Sequence, residues 1–466
     1  MTNVLVVGGY ATSKAGERTY IAKLDGVANF DRPTLMPRGE DRKSAVVGEL
    51  IRVNQATMQG VAPALDALKA QGLITSYEVN PLANTVTYNV ADARAAEAWT
   101  AVNAVDGIGR IVRDREVKLV GVEDAEAGAT VLMTVPDAAD AVEWNVDRVN
   151  APKVWAQGYN GSGVTVGVVD TGIDVTHPAL KAAYRGTQAD GSFDNNYNFF
   201  DAVSAKTQAY DDNKHGSHVS GTIAGVATEG HAATGIAPGV KLISSKILSG
   251  SGSGTLAGVM KGLAWMLAPT DSAGQNPDPT KAPDIISNSW GSSNGKDQTF
   301  RPLLQSFLAA GIEPVFAAGN SGPRPGTLGS PGSAPEVISV AATDKDDKVA
   351  SFSSRGPSPV KGDDGSDRKP DIAAPGHQIN STVPGGGYAV LSGTSMATPA
   401  VTAVIALLLS KYKDLTHAEV VQAITTSAKD IDAAGYDYNT GNGLIDAEAA
   451  MKAADAIVAA RPPKQG

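Results

Sequence analysis

Three residues of this sequence, a carboxylate, an imidazole and a hydroxyl, are of the types that together make a serine an effective nucleophile. Asp170 follows the apolar run of residues 164–169, which predicts a buried strand with the carboxylate at its C-terminal end. His215 begins the small-residue segment HGSHVSGTIAG, and Ser395 in SGTSMATP precedes a long apolar stretch that predicts a helix. Because open α/β sheets place their active sites beyond the carboxyl ends of strands, these residues are candidates for one catalytic site.

Each candidate also has a different explanation when it is taken alone. Asp170-Thr-Gly resembles the motif of aspartic proteases, but that class needs two such carboxylates in an all-β frame, and only one Asp-Thr-Gly occurs here. His215 and His218 could be metal ligands, yet no Glu lies between them as a zinc protease requires. An isolated serine before a helix is usually a cap, and Ala397 departs from the hydrolase pattern G-x-S-x-G.

A fourth polar residue, Asn320, follows another apolar strand in the segment FAAGNSG. An Asn beside glycine is usually a turn residue. Together with the other three segments it becomes a candidate donor to a developing oxyanion. The backbone N–H groups at the helix N-terminus that carries Ser395 are of the same kind, since they have no partner within the helix.

In chain order the four segments read Asp, His, Asn, Ser, and at each of them the sequence resembles the subtilase family of serine proteases. The resemblance covers about residues 144–458. Within the family it is strongest to the bacillopeptidase F branch. Ser217 and Thr398 replace the commoner Thr and Ser, and both changes keep size and polarity. The stretches that carry the closer resemblance are EWNVD at 143–147, YDD at 210–212, WMLAP at 265–269 and ISNSWG at 286–291.

The resemblance implies a serine endopeptidase that works through an acyl-enzyme. Ser395 would attack the peptide carbonyl, His215 would act as general base, and Asp170 would orient the imidazole, while His218 would be structural. The oxyanion would be held by the Ser395 backbone N–H and by Asn320. An extended substrate would pair with two strand edges, formed by Gly250, Ser251 and Gly252 on one side and by Ser289, Trp290 and Gly291 on the other.

Alternating apolar strands and helical patterns predict a doubly wound, mostly parallel α/β domain over residues 143–458. Residues 44–120 predict a small α+β, ferredoxin-like module of order β-α-β-β-α-β, which resembles the inhibitory prodomain of the family. In this scheme Ser44 starts a strand and residues 108–120 form the closing strand. Residues 1–43 are an extension of unclear role, 121–142 a linker with the processing site, and 459–466 a tail. An unrelated accessory domain is the alternative for the module.

Bulk composition excludes several other classes. The formal net charge is −10, which argues against nucleic acid as a partner, and the absence of cysteine excludes disulfides and a Cys nucleophile. No apolar run approaches a membrane span in length, and the N-terminus does not read as a signal peptide. Because family prodomains accompany secretion, we expect a secreted, monomeric enzyme.

Structural Ca²⁺ is expected from the family, with DGSFDNN at 190–196 and DKDD at 344–347 as candidate ligand stretches and no cofactor for catalysis. The rival functions are an inert zymogen that acts as a binding module and, less favoured, a lipase or esterase.

Overall fold

The structure, a computed structural model, describes residues 15–119, 123–124 and 141–462. The sequence also predicts a strand at residues 4–7 and a short strand at 131–133 within the linker. Both, together with the tail beyond residue 462, lie outside the described residues. The chain forms two units that pack against each other, an N-terminal unit of residues 15–119 and a C-terminal unit of residues 141–462.

The N-terminal unit is a four-stranded antiparallel sheet with strand order β2-β3-β1-β4, covered by two helices. This is the order of a split β-α-β module. Its interior is a separate hydrophobic cluster that includes Tyr88, Leu65 and Val102. The elements are β1 (Glu17–Leu24), α1 (Asp31–Thr34), α2 (Glu40–Ala70), β2 (Ser76–Asn80), β3 (Thr85–Ala91), α3 (Ala95–Asn103) and β4 (Ile108–Arg113).

Two sequence predictions for this unit are wrong. Its first strand is β1, so the module starts near residue 17 and not at Ser44, and the extension is part of the fold. The segment predicted as a strand from Ser44 belongs to α2, because the buried residues Val46, Leu50 and Val53 recur at the helical spacing of three to four. The even spacing of Val47, Ile51 and Val53 favours a strand, but a short run with only a few apolar residues fits both periods.

The predicted closing strand of residues 108–120 is also divided in two. After β4 the chain turns at Asp114, whose carboxylate accepts hydrogen bonds from Arg115 N and Ala257 N, both 3.0 Å. The next strands are β5 (Glu116–Leu119) and β6 (Glu123–Asp124), and both pair with the C-terminal unit instead of the N-terminal sheet.

The C-terminal unit is built on a seven-stranded sheet of order β15-β14-β13-β11-β7-β9-β8, in which every neighbouring pair is parallel. This confirms the predicted doubly wound α/β fold. Five of these strands were predicted from apolar runs, whereas two edge strands were not. The strands of this sheet are β7 (Thr165–Asp170), β8 (Phe199–Asp201), β9 (Lys241–Lys246), β11 (Ile285–Asn288), β13 (Glu313–Ala317), β14 (Ile338–Thr343) and β15 (Ile372–Pro375). Four further strands of the unit lie outside it: β10 (Ser253–Thr255), β12 (Trp290–Gly291), β16 (Ile379–Val383) and β17 (Gly387–Ser392).

Helices cover both faces of this sheet. The sequence places Glu419 three residues after Thr416, a spacing that predicts a capping box, and this box is present at the start of α11. The helices are α4 (Trp144–Arg148), α5 (Ala151–Trp155), α6 (Pro178–Lys181), α7 (His215–Ala224), α8 (Leu256–Leu267), α9 (Arg301–Ala310), α10 (Thr394–Lys411), α11 (His417–Thr426) and α12 (Ala447–Ala459).

Helix α10 is the central helix of the unit. Its 18 residues have the length and apolar composition that could cross a membrane, contrary to the expectation that no run would reach this length. However, 89% of it is buried inside the protein, where it packs on α7 and on the sheet. Its apolar character is therefore explained by its place in the core.

The central position of β1 can be tested with a charge. Ala22 in β1 is fully buried between the neighbouring strands, whereas the adjacent Lys23 is exposed. We expect Ala22→Asp to lower the free energy of unfolding of the N-terminal unit by about 3 kcal/mol or more, since it buries an unpaired carboxylate. Lys23→Asp should change it by less than about 0.5 kcal/mol. Hydrogen exchange of the strand amides measures both, and equal protection in the two variants would contradict the assignment.

Candidate active site

The carboxylate of Asp170 and the imidazole of His215 form a buried hydrogen bond. Asp170 Oδ1 lies 2.8 Å from His215 Nδ1, and the two side chains are 0% and 2% exposed. Asp170 is the last residue of β7 and His215 the first residue of α7. The carboxylate thereby selects the tautomer with the proton on Nδ1, so that Nε2 is the basic nitrogen.

Close backbone approach makes this pairing feasible. A Cβ on Gly216 would stand 2.1 Å from Gly172 O, so only glycine allows α7 to approach the turn after β7 this closely. Thr171 stabilises the contact between α7 and the turn after β7. Its hydroxyl accepts from Gly216 N at 2.8 Å and donates to Asp211 Oδ1 at 3.0 Å.

Two buried charged residues, Asp211 and Lys246, bond the backbone around the Asp170–His215 pair. The sequence analysis assigned no role to either. Asp211 Oδ2 accepts from Ser217 N and Ser217 Oγ at 2.9 and 2.8 Å, which explains a hydroxyl at position 217. Lys246 Nζ donates to Thr171 O, 2.6 Å, and to Leu248 O, 2.8 Å. Asp211 lies in the YDD stretch, whereas Lys246 at the end of a predicted apolar strand gave no signal of its role.

Ser395 is the second residue of α10, and it is fully buried. Its Oγ donates to Ser289 O at 3.0 Å. Within the part of the chain that the structure describes, His215 Nε2 has no hydrogen-bond partner. A proton transfer from Ser395 to His215 would therefore require the hydroxyl to turn away from Ser289 first.

Pro399 explains why Ser289 and Ser395 are linked twice. A proline has no N–H, so the carbonyl of Ser395 four residues earlier lacks its helical hydrogen bond. Ser289 Oγ replaces it, donating to Ser395 O at 2.8 Å. Helix α10 was predicted to begin at Pro399, but it starts at Thr394, and this places Ser395 inside the first turn.

Asn320 is oriented by the same helix start. Its Oδ1 accepts from Thr394 N at 2.9 Å and from Thr394 Oγ1 at 2.8 Å. These bonds fix the amide so that Nδ2 faces Gly393, where it lies 3.0 Å from the position a Cβ would take. An amide N–H and the positive end of the α10 dipole therefore converge beside Ser395, as an oxyanion site requires.

His218, the second imidazole of the motif, is buried in a different setting. Its Nε2 lies 3.0 Å from both Ile379 O and Ala389 O, and Nδ1 has no partner among the described residues. Burial lowers the pKa of His218 to about 3, and the neighbouring charge of His215 acts in the same direction. A second proton on Nδ1 would be buried without an acceptor, so His218 stays neutral and its contacts are structural.

Two strand edges beside Ser395 are occupied by the chain itself. Strand β5 lies between β10 and β12 and is antiparallel to both, so that Val117 faces Gly254 and Leu119 faces Trp290. Leu119 N donates to Gly252 O at 2.9 Å, and Gly252 leaves room for the Leu119 side chain, since a Cβ there would stand 2.9 Å from Leu119 Cδ1. These edges can hold an extended peptide on both sides.

The predicted substrate-binding residues divide into two groups. Gly252, Trp290 and Gly291 contact β5 through the backbone, while the carbonyl of Ser289 bonds Ser395. Gly250 and Ser251 were expected to pair but lie in the turn before β10, so this part of the prediction is wrong. The pairing strand is Ser253–Thr255, two to three residues further on. Gly250 O already accepts a hydrogen bond from Asn213 Nδ2 at 2.9 Å. The Ser251 hydroxyl bonds the hydroxyls of Ser249 and Ser253.

The chain also pairs on the other side of Ser395. Glu123 is paired with Ser392, three residues before Ser395, and Asp124 with Leu391. Pairing with β10 and β12 thus ends at Leu119, and pairing with β17, next to the N-terminus of α10, begins at Glu123.

The candidate calcium stretches are engaged in other contacts. Asp190 Oδ1 and Asp194 Oδ1 accept from Ser192 N and Asn196 N within their own turns, both 2.9 Å. Asp347 pairs with Arg148 and with Lys429 at 2.5 and 2.8 Å. Over residues 15–119 and 141–462, no three His, Asp or Glu side chains converge as metal ligands. Structural calcium remains a prediction.

Comparisons with known proteins agree with the geometry. The model of the subtilase family matches residues 161–443. Bacillopeptidase F of Bacillus subtilis (strain 168) is 41% identical over 327 residues, which are 68% of this chain and 22% of that protein. Subtilisin DY of Bacillus licheniformis is 36% identical over 317 residues, 67% of this chain and 100% of that protein. Serine protease AprX of Bacillus subtilis (strain 168) is 39% identical, with 63% of this chain and 67% of that protein covered.

The role of Asn320 can be tested by removing its amide. We expect Asn320→Ala to lower kcat for peptide hydrolysis about 10²- to 10³-fold, a scale taken over from subtilisin, with little change in KM. Thr394→Val, which removes one hydrogen bond to Asn320 Oδ1, should have a smaller effect on kcat alone. A kcat of Asn320→Ala within threefold of wild type would exclude the amide as an oxyanion donor.

The protonation of His218 can be followed by NMR in the Ser395→Ala chain. The pKa of His218 is near 3 in the folded state and near 6.5 in the unfolded state. Between these values the unfolded chain is protonated at His218 and the folded protein is not. The stability linked to His218 is present above pH 6.5 and is lost as pH falls below it. The Cε1 proton shift, assigned by its absence in His218→Gln, should stay constant from pH 8 to pH 4.5. A titration midpoint near 6.5 would show that the ring is not buried as described.

Proposed function

Because the chain belongs to the subtilase family and is a subtilisin-like serine protease, we propose that Asp170, His215 and Ser395 form its catalytic triad and hydrolyse peptide bonds of proteins. The observation that carries this proposal is the buried Asp170–His215 hydrogen bond of 2.8 Å beside the α10 N-terminus that bears Ser395. No other described pair combines an imidazole and a carboxylate at the carboxyl ends of the sheet next to a serine.

In the proposed mechanism His215 Nε2 takes the proton of Ser395 Oγ as the oxygen attacks the substrate carbonyl. The carbonyl oxygen becomes an oxyanion held by Asn320 Nδ2 and the Ser395 backbone N–H. The proton on Nε2 then passes to the leaving amine, and the C–N bond breaks to give an acyl-enzyme. Water, deprotonated by the same nitrogen, releases the acid and restores Ser395. Asp170 stays ionised throughout and stabilises the imidazolium.

We further propose that the N-terminal unit is an inhibitory prodomain and that the chain is a self-processing zymogen. Strand β5 occupies both edges that an extended substrate needs, and its Val117 is 3% exposed in the cluster formed with Leu248 and Leu256. A substrate cannot pair with β10 and β12 while β5 is there. The alternative of an unrelated accessory domain offers no reason for a strand at this place.

The same strands support a location for the processing site. The chain pairs on one side of Ser395 up to Leu119 and on the other side from Glu123. Three residues connect these points, and they lie outside the described residues. We propose that the cut falls between Leu119 and Glu123. A secreted, monomeric, calcium-stabilised enzyme remains the accompanying proposal, resting on the family resemblance alone.

Mass analysis of purified protein tests both parts. The wild-type chain should split between Leu119 and Glu123 and then digest casein, whereas Ser395→Ala should stay whole, with activity reduced roughly 10⁶-fold, a scale again taken over from subtilisin. Ser410→Ala, on the same helix but bonded only to Leu407 O, is the matched control and should behave as wild type.

The outcomes separate the parts of the proposal. A cut elsewhere that still depends on Ser395 would reject the proposed processing site but keep self-processing. If wild type and Ser395→Ala both stay intact and inactive, the chain is an inert binding module. If Ser395→Ala matures and digests casein like wild type, the triad assignment is wrong.

A further inference from the structure

Two arginines at the start of the N-terminal unit's long helix insert into the C-terminal unit. Arg38 Nε donates to Leu415 O at 3.0 Å, and its Nη2 forms an ion pair with Glu313 Oε1. The Arg38 and Glu313 side chains are only 5% and 1% exposed, so the pair is desolvated. Arg38 precedes the N-cap residue Gly39, and Arg42 follows in the first turn of α2.

Arg42 binds the negative end of α9. Its Nε donates to Ala309 O at 2.6 Å and its Nη2 to Leu308 O at 3.0 Å. Carbonyls in the last turn of a helix have no partner within it and carry partial negative charge. Gly311, with φ of +75°, ends α9 and leaves room for the arginine stems, since a Cβ there would lie 3.3 Å from Arg38 Cγ.

Glu313 keeps a full negative charge at this place. Its second oxygen, Oε2, lies 2.6 Å from His417 Nδ1. Burial alone would raise the pKa of Glu313, but the charges of His417 and Arg38 and their hydrogen bonds outweigh it and hold the pKa at about 2. We call the group of acceptors formed by Glu313 and by the carbonyls of Leu308, Ala309 and Leu415 the guanidinium socket.

The guanidinium socket is remote from the candidate active site. Glu313 is the first residue of β13, whereas Asn320 lies beyond the other end of that strand. Five strand residues separate the two edges of the sheet by roughly 16 Å, at about 3.3 Å per residue. Contacts in the guanidinium socket are therefore separate in space from the contacts that β5 makes beside the candidate active site.

Cations at the start of α2 do not stabilise the helix when it is considered by itself. Cations near a helix N-terminus oppose the helix dipole, and acidic residues are preferred there. Arg42 and Lys43 lie in the first turns of α2, and Lys43 Nζ also reaches across to Ala282 O at 2.9 Å. Glu40 and Asp41 meet the preference for acidic residues in the first turn. The two cations next to them are explained by their contacts outside the helix.

We propose that the guanidinium socket is a second docking site on the protease, specific for two guanidinium groups that flank a helix start, one before the N-cap and one in the first turn, and that it retains the N-terminal unit after the chain has been cut. The inference rests on the proposed inhibitory role of that unit. Contacts of β5 then block the cleft, while Arg38 and Arg42 determine how slowly the cut unit leaves.

The test measures release without relying on self-processing. In the full Ser395→Ala chain, a recognition sequence for an unrelated site-specific protease is inserted within residues 125–140 and cut after purification. Release of the N-terminal unit from the cut complex is followed after dilution by size-exclusion chromatography. The variants are Arg38→Met and Glu313→Gln. The matched control is Arg52→Met in α2, whose side chain is 66% exposed and, among the described residues, is paired with Glu49.

We expect Arg38→Met and Glu313→Gln each to speed release about 30-fold or more, since a buried charge loses its partner, with Arg52→Met within threefold of the parent. Glu313→Gln leaves every residue of the N-terminal unit unchanged, so its effect cannot come from unfolding of that unit. Unchanged release in both socket variants would overturn the proposal, as would equal acceleration by Arg52→Met. Because the cut is made externally, neither result depends on whether the wild-type chain processes itself.

Discussion

The hydrogen bond between Asp170 and His215 is the constraint on which the surrounding structure depends. A carboxylate and an imidazole buried together are costly unless both are held in place, so the fold provides a strand end, a helix start and a glycine contact to join them. Thr171, Asp211 and Lys246 then satisfy the backbone around the pair. Asn320 lies at the same edge of the sheet, because parallel strands end together, and it bonds the first residue of α10, the helix that bears Ser395.

Much of this site could be predicted from the sequence. Buried parallel strands have continuous apolar runs, and the polar residues after those runs, Asp170 and Asn320, stand out by contrast. What the runs do not reveal is the detail of hydrogen bonding. Nothing in the pattern around Pro399 indicates that its missing N–H is replaced by Ser289, since that bond joins residues more than a hundred positions apart.

The N-terminal unit was harder to predict for physical reasons. Val46, Leu50 and Val53 suit a helix once the whole of α2 is considered, but a window of ten residues leaves the period ambiguous. Strand β5 follows β4 with only a two-residue break, and its partners come from the other unit. The guanidinium socket is mostly backbone carbonyls, which carry no sequence signature at all.

Continuity of the chain across the cleft has a thermodynamic consequence. While β5 and the protease are one molecule, β5 faces its groove at an effective concentration on the order of millimolar, and a free peptide must compete with that. A single break turns the same contacts into a bimolecular equilibrium. Under the proposed inhibitory role of the N-terminal unit, the fraction of blocked clefts would then vary with total protein concentration. Concentrated enzyme would stay inhibited and diluted enzyme would become active, without any change in the structure of either unit.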